Sequence, residues 1–88
     1  MTAAPVLAVR VMVEDVWDEV SMALPSSTPL GDLKTLALRQ AGVPGDASDY
    51  LVKYLGAELQ DEDRSLGDAG VVPHATLVVL PRRRRPLR

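Results

Sequence analysis

Residues 52–80 decide the fold of this chain, and the central run is Leu55-Gly56-Ala57-Glu58-Leu59-Gln60-Asp61. Just before it, Tyr50, Val52 and Tyr54 alternate with other residues, which predicts a short strand with these three on one face. Gly56 gives the backbone the freedom to turn, and Leu59 is expected to return to the core. The run therefore predicts a strand, a tight turn and a chain that folds back on itself.

The second part of this stretch predicts one turn of helix and a final strand. Ser65 is followed three residues later by Asp68, a spacing typical of a capped helical turn. The closing run Ala75-Thr76-Leu77-Val78-Val79-Leu80 alternates, so Leu77 and Val79 are expected on the face opposite to Val78 and Leu80.

The first 25 residues predict a β-hairpin. Val9, Val11 and Val13 share one face of a strand over 6–13, and Arg10 and Met12 share the other. A polar loop over 14–18 connects it to a second strand whose apolar side is Val20, Met22 and Leu24.

A helix is predicted next, starting with Thr28 as N-cap and Pro29 at the first helical position. Its apolar stripe consists of Leu30, Leu33, Leu36, Ala37 and Ala41. Gly42 suits the left-handed conformation that ends helices.

A striped helix and a sheet with one apolar face must cover each other. The order of elements predicts an α+β fold in which a mixed sheet of four to five strands, its first and last strands adjacent, carries one helix across it. The expected organisation is one domain over 6–81, with a flexible N-terminus over 1–5 and a flexible basic tail over 82–88.

The chain resembles the ubiquitin-like β-grasp superfamily. The resemblance rests on Val52, Tyr54, Gly56 and Leu59, on the segments 64–68 and 75–77, and on the helix over 28–42. It implies a module that binds proteins and has no catalytic activity. Members that are conjugated end in Gly-Gly, whereas no glycine follows Gly70 here, so conjugation is not expected; a modifier processed by another step is the less favoured alternative.

The resemblance places a partner-binding surface on the sheet. Its central apolar position is taken by Lys53, flanked by Leu51 and Leu55, with Val78 and Leu80 on the neighbouring strand. Leu51, Val78 and Leu80 keep the patch apolar enough to bind. Since Lys53 alters its centre, ubiquitin receptors are not the expected partners.

The hairpin tip offers a second candidate surface at Val16 and Trp17. A lone loop tryptophan often folds back over the edge of its sheet, and this is the favoured interpretation of Trp17. The alternative is an exposed anchor for a partner, because tryptophan is enriched at binding hot spots.

Charge is distributed unevenly along the chain. Residues 1–80 hold five basic and twelve acidic side chains, a net charge of −7, and the tail adds +5 through Arg82, Arg83, Arg84, Arg85 and Arg88. The tail is interpreted as a solubilising terminus or as a segment that folds against the acidic body. A weak contact with anionic membranes is a second hypothesis. Nucleic-acid binding is not expected, because the body is acidic and offers no aromatic stacking platform.

Several classes of site are not expected. The chain has no cysteine, which suits a reducing compartment, and the prediction is a cytoplasmic protein without a signal peptide or membrane span. His74 is interpreted as a solvated turn residue, and Asp61, Glu62 and Asp63 as a solvated acidic turn. No metal, cofactor, small-molecule substrate or catalytic residue is predicted.

Two hypotheses concern the biological setting. Residues 65–72 resemble the small bacterial ubiquitin-like proteins and domains that accompany type VII secretion, which favours an adaptor or scaffold. The rival hypothesis is an accessory subunit of a multicomponent enzyme, such as a bacterial monooxygenase.

Overall fold

The structure is a computed structural model in which residues 5–82 are described. Within this range the chain forms one α-helix and one five-stranded sheet, whose strands follow the order β2-β1-β5-β3-β4. The elements are β1 (Val6–Val13), β2 (Asp18–Pro25), α1 (Leu30–Gln40), β3 (Tyr50–Tyr54), β4 (Ala57–Glu58) and β5 (Thr76–Pro81). The predicted α+β architecture is confirmed.

The parallel pair β1–β5 forms the centre of the sheet. Arg10 is opposite Thr76, and the register continues to Val13 opposite Val79. The other contacts are antiparallel: β1 with β2, β5 with β3, and β3 with β4. The first and last strands are therefore adjacent, as predicted, and the sheet is mixed.

The β1–β2 hairpin is longer than predicted. Its register runs from Val6 opposite Pro25 to Val13 opposite Asp18, so Asp18 belongs to the strand instead of the loop. A single 3-10 turn, Glu14–Val16, and Trp17 make the connection. Because this connection is short, the pairing of β1 with β2 extends to Val13 and Asp18 at the tip.

The helix does not begin as predicted. Thr28 makes no N-cap; Pro29 precedes the first helical residue, and no side chain caps this end. Instead, the N–H groups of Leu30 and Gly31 donate to the carbonyl oxygens of Arg64 and Glu62, each at 2.9 Å. The loop after β4 therefore satisfies donors that helices usually satisfy with a local hydroxyl.

The helix ends as predicted, at Gly42, whose φ is 74°. The N–H of Val43 donates to the Leu38 carbonyl and that of Gly42 to the Arg39 carbonyl, the two bonds of a Schellman motif. The buried stripe is rotated from the predicted one, because Leu36 is half-buried. The fully covered positions are Leu30, Leu33, Lys34, Ala37 and Leu38.

The segment between β4 and β5 forms turns and no continuous helix. After Ser65 it makes the single helical turn that the spacing predicts: the Ser65 hydroxyl accepts the N–H of Asp68 at 3.1 Å, and the Ser65 carbonyl accepts that of Ala69 at 3.0 Å. Leu66 is completely buried, and its N–H donates to the Thr28 carbonyl. Gly70, with a φ of 83°, turns the chain away before a second helical turn can form.

The core lies between α1 and one face of the sheet. Its completely buried side chains include Val11, Leu33, Val52, Leu66 and Leu77. Replacing such a leucine with alanine costs about 2–5 kcal/mol of unfolding free energy, because a cavity adds to the lost burial. The opposite side of the sheet, called the outer face here, carries Arg10, Met12, Lys53 and Val78 in the register given above.

Candidate interaction surfaces

The hairpin tip exposes a tryptophan. Trp17 is 75% exposed and Val16 46% exposed, so the favoured interpretation of a ring folded over the sheet edge is wrong. The backbone N–H of Trp17 donates to the Glu14 carbonyl, and the φ of Trp17, 53°, is in the left-handed region. None of the residues of the turn Glu14–Val16 is buried, so the tip offers the indole no apolar support of its own.

The outer face brings together the four sheet residues predicted to bind a partner. Lys53 lies directly opposite Val78, and Leu51 directly opposite Leu80. Lys53 is exposed, and Val78 and Leu80 are half-buried. Leu51 is only 8% exposed, so it supports this surface more than it contacts anything outside.

Met12 joins this surface, whereas Leu55 does not belong to it. Met12 lies opposite Val78 in the parallel pair, so it extends the apolar row away from Lys53. Leu55, expected beside Lys53, lies in the β3–β4 turn and is 85% exposed. Because β1 and β5 are parallel, Leu80 lies toward the same end of the sheet as the hairpin tip.

The two cations of the outer face are outside the ion pairs of the domain. Within residues 5–82, neither Arg10 nor Lys53 makes a salt bridge, although Glu58 is opposite Lys53 on β4. Glu58 pairs with Arg82 instead, at 3.5 Å. The outer face therefore presents two positive charges that make no salt bridge, in a domain that carries more acidic than basic side chains.

Arg82 belongs to the domain, and the basic tail does not begin there as predicted. Its backbone N–H donates to the Asp49 carbonyl at 2.7 Å. Its guanidinium donates to the carbonyl oxygens of Ser48 at 3.0 Å and Tyr50 at 3.1 Å. The remaining predicted tail residues, Arg83, Arg84, Arg85 and Arg88, lie outside the described residues.

A buried lysine forms the main polar contact of the fold. Lys34 is 2% exposed, and its Nζ donates to both carboxylate oxygens of Glu62 at 2.8 Å and to the Tyr50 carbonyl at 2.9 Å. Glu62 was predicted to be part of a solvated turn. It instead forms a structural ion pair with Lys34. An amphipathic pattern treats a lysine as exposed, so no pattern in the sequence indicates this contact.

Two further polar contacts lie at the hairpin end of the sheet. The Tyr50 hydroxyl donates to Oδ2 of Asp15, which raises the pKa of Tyr50 to about 12. The Ser48 N–H donates to Oδ1 of Asp46 at 3.0 Å and lowers the pKa of that carboxyl. An open cavity of about 670 Å³ is lined by Asp15, Asp46, Tyr50 and Arg82, among others.

The remaining titratable candidates behave as turn residues. His74 is exposed, has a φ of 66°, and donates its N–H to the Ala8 carbonyl. Oδ1 of Asp61 accepts the N–H of Asp63 at 3.2 Å. Over the described part of the chain, no three His, Asp or Glu side chains are grouped to hold a metal ion, and no helix there has the length and hydropathy of a membrane span.

Comparison with known proteins supports the fold through structure and not through sequence. No protein-family model and no curated protein matches the sequence. Among solved structures, the chain is similar to the ubiquitin-like domain of an Arabidopsis thaliana protein, with a TM-score of 0.77, 18% identity, and coverage of 100% of this chain and 89% of that one.

Two other structures give the same result. The C-terminal ubiquitin-like domain of mouse tubulin-specific chaperone e has a TM-score of 0.75 at 20% identity, covering 99% of this chain and 97% of that one. Caldiarchaeum subterraneum ubiquitin has a TM-score of 0.75 at 14% identity, covering 93% and 100%. The chain has a ubiquitin-like fold.

Proposed function

We propose that this chain is a non-catalytic protein-interaction module, an adaptor or scaffold of the cytoplasm, that binds a protein partner through its hairpin tip and the adjoining outer face. The observation that carries the proposal is the exposure of Trp17, at 75%, at the tip of the hairpin. Exposed tryptophans are enriched among the residues that dominate binding energy.

The outer face supplies the rest of the proposed surface. Leu80 and Val78 leave half-buried apolar area next to the exposed Lys53, and Met12 widens it. A mixed apolar and cationic patch suits a partner that brings apolar side chains and at least one carboxylate. Leu51, opposite Leu80, is buried beside this patch.

Support for a binding role over catalysis comes from how the polar groups are used. Lys34 and Glu62 satisfy each other inside the fold, and Arg82 binds backbone carbonyls. The segment over 65–72, on which the secretion hypothesis rests, has a structural use: Leu66 is in the core and Ser65 caps its own turn. The proposal therefore does not depend on that segment.

The test is a comparison of three forms of the chain as bait in native-cell extract, with bound proteins identified by mass spectrometry. Trp17→Ala is expected to lose a specific partner, with affinity reduced about 30-fold, while the melting temperature stays nearly unchanged. Leu55→Ala is the matched control, since Leu55 is equally apolar, 85% exposed and at the other end of the sheet.

Two outcomes would contradict the proposal. One is that all three baits retain the same partners with equal affinity. The other is that Trp17→Ala lowers the melting temperature by several degrees, which would assign the indole to stability. A form of this chain covalently linked to other proteins in the same extract would instead support a modifier.

A further inference from the structure

A second feature lies on the outer face, toward the end opposite the hairpin tip. A depression of about 370 Å³ is lined by residues 8–10 of β1, residues 21–23 of β2, and His74. Ala8 and Ala23 are directly opposite each other across the two strands. Their small side chains leave room that larger residues would fill.

A cation stands at one side of this depression with a hydroxyl on each neighbouring strand. Arg10 is opposite Ser21 on β2 and opposite Thr76 on β5, so the three form one row across the sheet. All three are exposed. A guanidinium has five N–H donors and each hydroxyl has one, so the row is rich in donors for an anion.

Arg10 is available to bind a carboxylate. No salt bridge joins Arg10 to any acidic group of residues 5–82. Glu19 is opposite Met12 on the same face, two residue pairs closer to the hairpin tip. Residues 1–80 carry a net charge of −7, so a bound carboxylate must gain more from Arg10, Ser21 and Thr76 than it loses by repulsion from the acidic groups.

We propose that this depression is a docking site for a partner-protein segment that carries a carboxylate beside a compact apolar side chain. The carboxylate binds Arg10 with help from Ser21 and Thr76, and the apolar side chain rests against Ala8 and Ala23. Charge complementarity selects this occupant, because the site combines an unpaired cation with a small apolar floor. The site extends the proposed function to a separate set of residues, away from Trp17 and Lys53.

The probe is the tripeptide amide Ac-Val-Asp-Val-NH2, titrated into the ¹⁵N-labelled chain and followed by NMR. Amide signals of residues 8–10, 21–23 and 74–76 are expected to move in a saturable way. The isosteric peptide Ac-Val-Asn-Val-NH2 should bind about tenfold more weakly, because it lacks the charge. Sodium phosphate and chloride at matched ionic strength measure the response to any anion.

Three variants make the test specific. Arg10→Gln removes the cation and Ala23→Met fills the depression, and each should weaken the Asp peptide about tenfold. Arg39→Gln makes the same charge change on the exposed side of α1 and should change nothing. An unshifted spectrum outside the mutated site shows that each variant is folded.

The proposal is overturned if the Asp and Asn peptides bind equally, if phosphate reproduces the shifts, or if no signal moves up to the solubility limit. It is also overturned if the shifts map to residues 51–53 and 78–80, which would place the acidic segment on the first surface. Failure of the Trp17 experiment leaves these outcomes unaffected, so the two proposals are tested separately.

Discussion

Lys34 and Glu62 hold α1 against the loop that follows β4: the Lys34 Nζ lies 2.8 Å from both carboxylate oxygens of Glu62. The third proton of the ammonium goes to the Tyr50 carbonyl at 2.9 Å, so every donor of a nearly inaccessible lysine is used. One side chain thereby joins the helix, the loop and the start of β3. This contact fixes the position of the helix across the sheet.

The two partners of this ion pair should respond differently to mutation. Glu62→Gln leaves a buried ammonium without its counter-charge and should lower the free energy of unfolding by about 1–3 kcal/mol, less than for a fully buried pair because Glu62 is partly exposed. Lys34→Met keeps the volume and removes the charge, so it should cost under about 1 kcal/mol. Urea unfolding at neutral pH measures both values. Equal losses would contradict this, because they would show that an apolar side chain of similar volume cannot replace the ion pair.

The hydrogen bond from Tyr50 to Asp15 predicts a loss of stability in alkali. The ordinary pKa of Tyr50 is 10.0, and in the folded chain it is raised to about 12 by this bond and by burial. Because the folded state holds the proton more tightly, the contribution is complete below pH 10 and is lost as the pH rises toward about 12. The hydroxyl borders an open cavity, so solvent screening keeps the contribution to about 1 kcal/mol.

Tyr50→Phe isolates this effect. The variant should be less stable than the parent by about 1 kcal/mol at pH 8, and the difference should shrink toward zero as the pH is raised past 10. Guanidinium unfolding of both proteins at several pH values provides the measurement. A difference that does not change with pH would mean that the hydroxyl contributes by filling space.

The β3–β4 turn carries a strained leucine. Tyr54 and Ala57 pair across it, and the two residues between them have positive φ, 55° at Leu55 and 80° at Gly56. A two-residue turn of this kind favours Asn-Gly. Leu55→Asn should therefore raise the free energy of unfolding by about 0.5–1 kcal/mol, since asparagine tolerates the left-handed conformation. Thermal unfolding measures the gain in stability. Gly56→Ala, which places a β-carbon at a positive φ, is the control that should lower stability.

Arg82 is expected to stabilise the domain although it was predicted to be in the tail. Arg82→Ala removes donors from the Ser48 and Tyr50 carbonyls and a partner from Glu62, and should cost about 1 kcal/mol. Arg39→Ala, an exposed arginine in the last turn of α1, is the control and should cost less. Raising the salt concentration should weaken only the ion-pair part of the effect. Identical stabilities of the two variants would show that the contacts of Arg82 do not stabilise the domain.

Local sequence predicted most elements because their signals are local. Alternation in 6–13 and 76–80 sets which side chains enter the core, and Gly42 ends the helix where its positive φ is needed. The start of the helix was missed because its capping groups come from Glu62 and Arg64, more than 30 residues away in sequence. Periodicity contains no information about such a partner.

The candidate sites were also predictable only where local sequence determines them. The adjacency of Lys53 with Val78 and of Leu51 with Leu80 followed from strand alternation and the expected order of strands. The burial of Leu51 and the row formed by Ser21, Arg10 and Thr76 depend on register between strands, and a one-residue shift would move these side chains to the other face. The exposure of Trp17 depends on the conformation of the turn that connects β1 and β2.

The sequence by itself determined the ubiquitin-like fold, because spacing of apolar residues, glycines and prolines acts on the nearest few residues and limits how the elements can cover one another. Only the tertiary structure decided that Lys34 is buried, that Arg82 is part of the domain and that Arg10 is left without a salt bridge. The physical reason is that the state of a charged side chain depends on which groups surround it in space, and those groups come from distant parts of the chain.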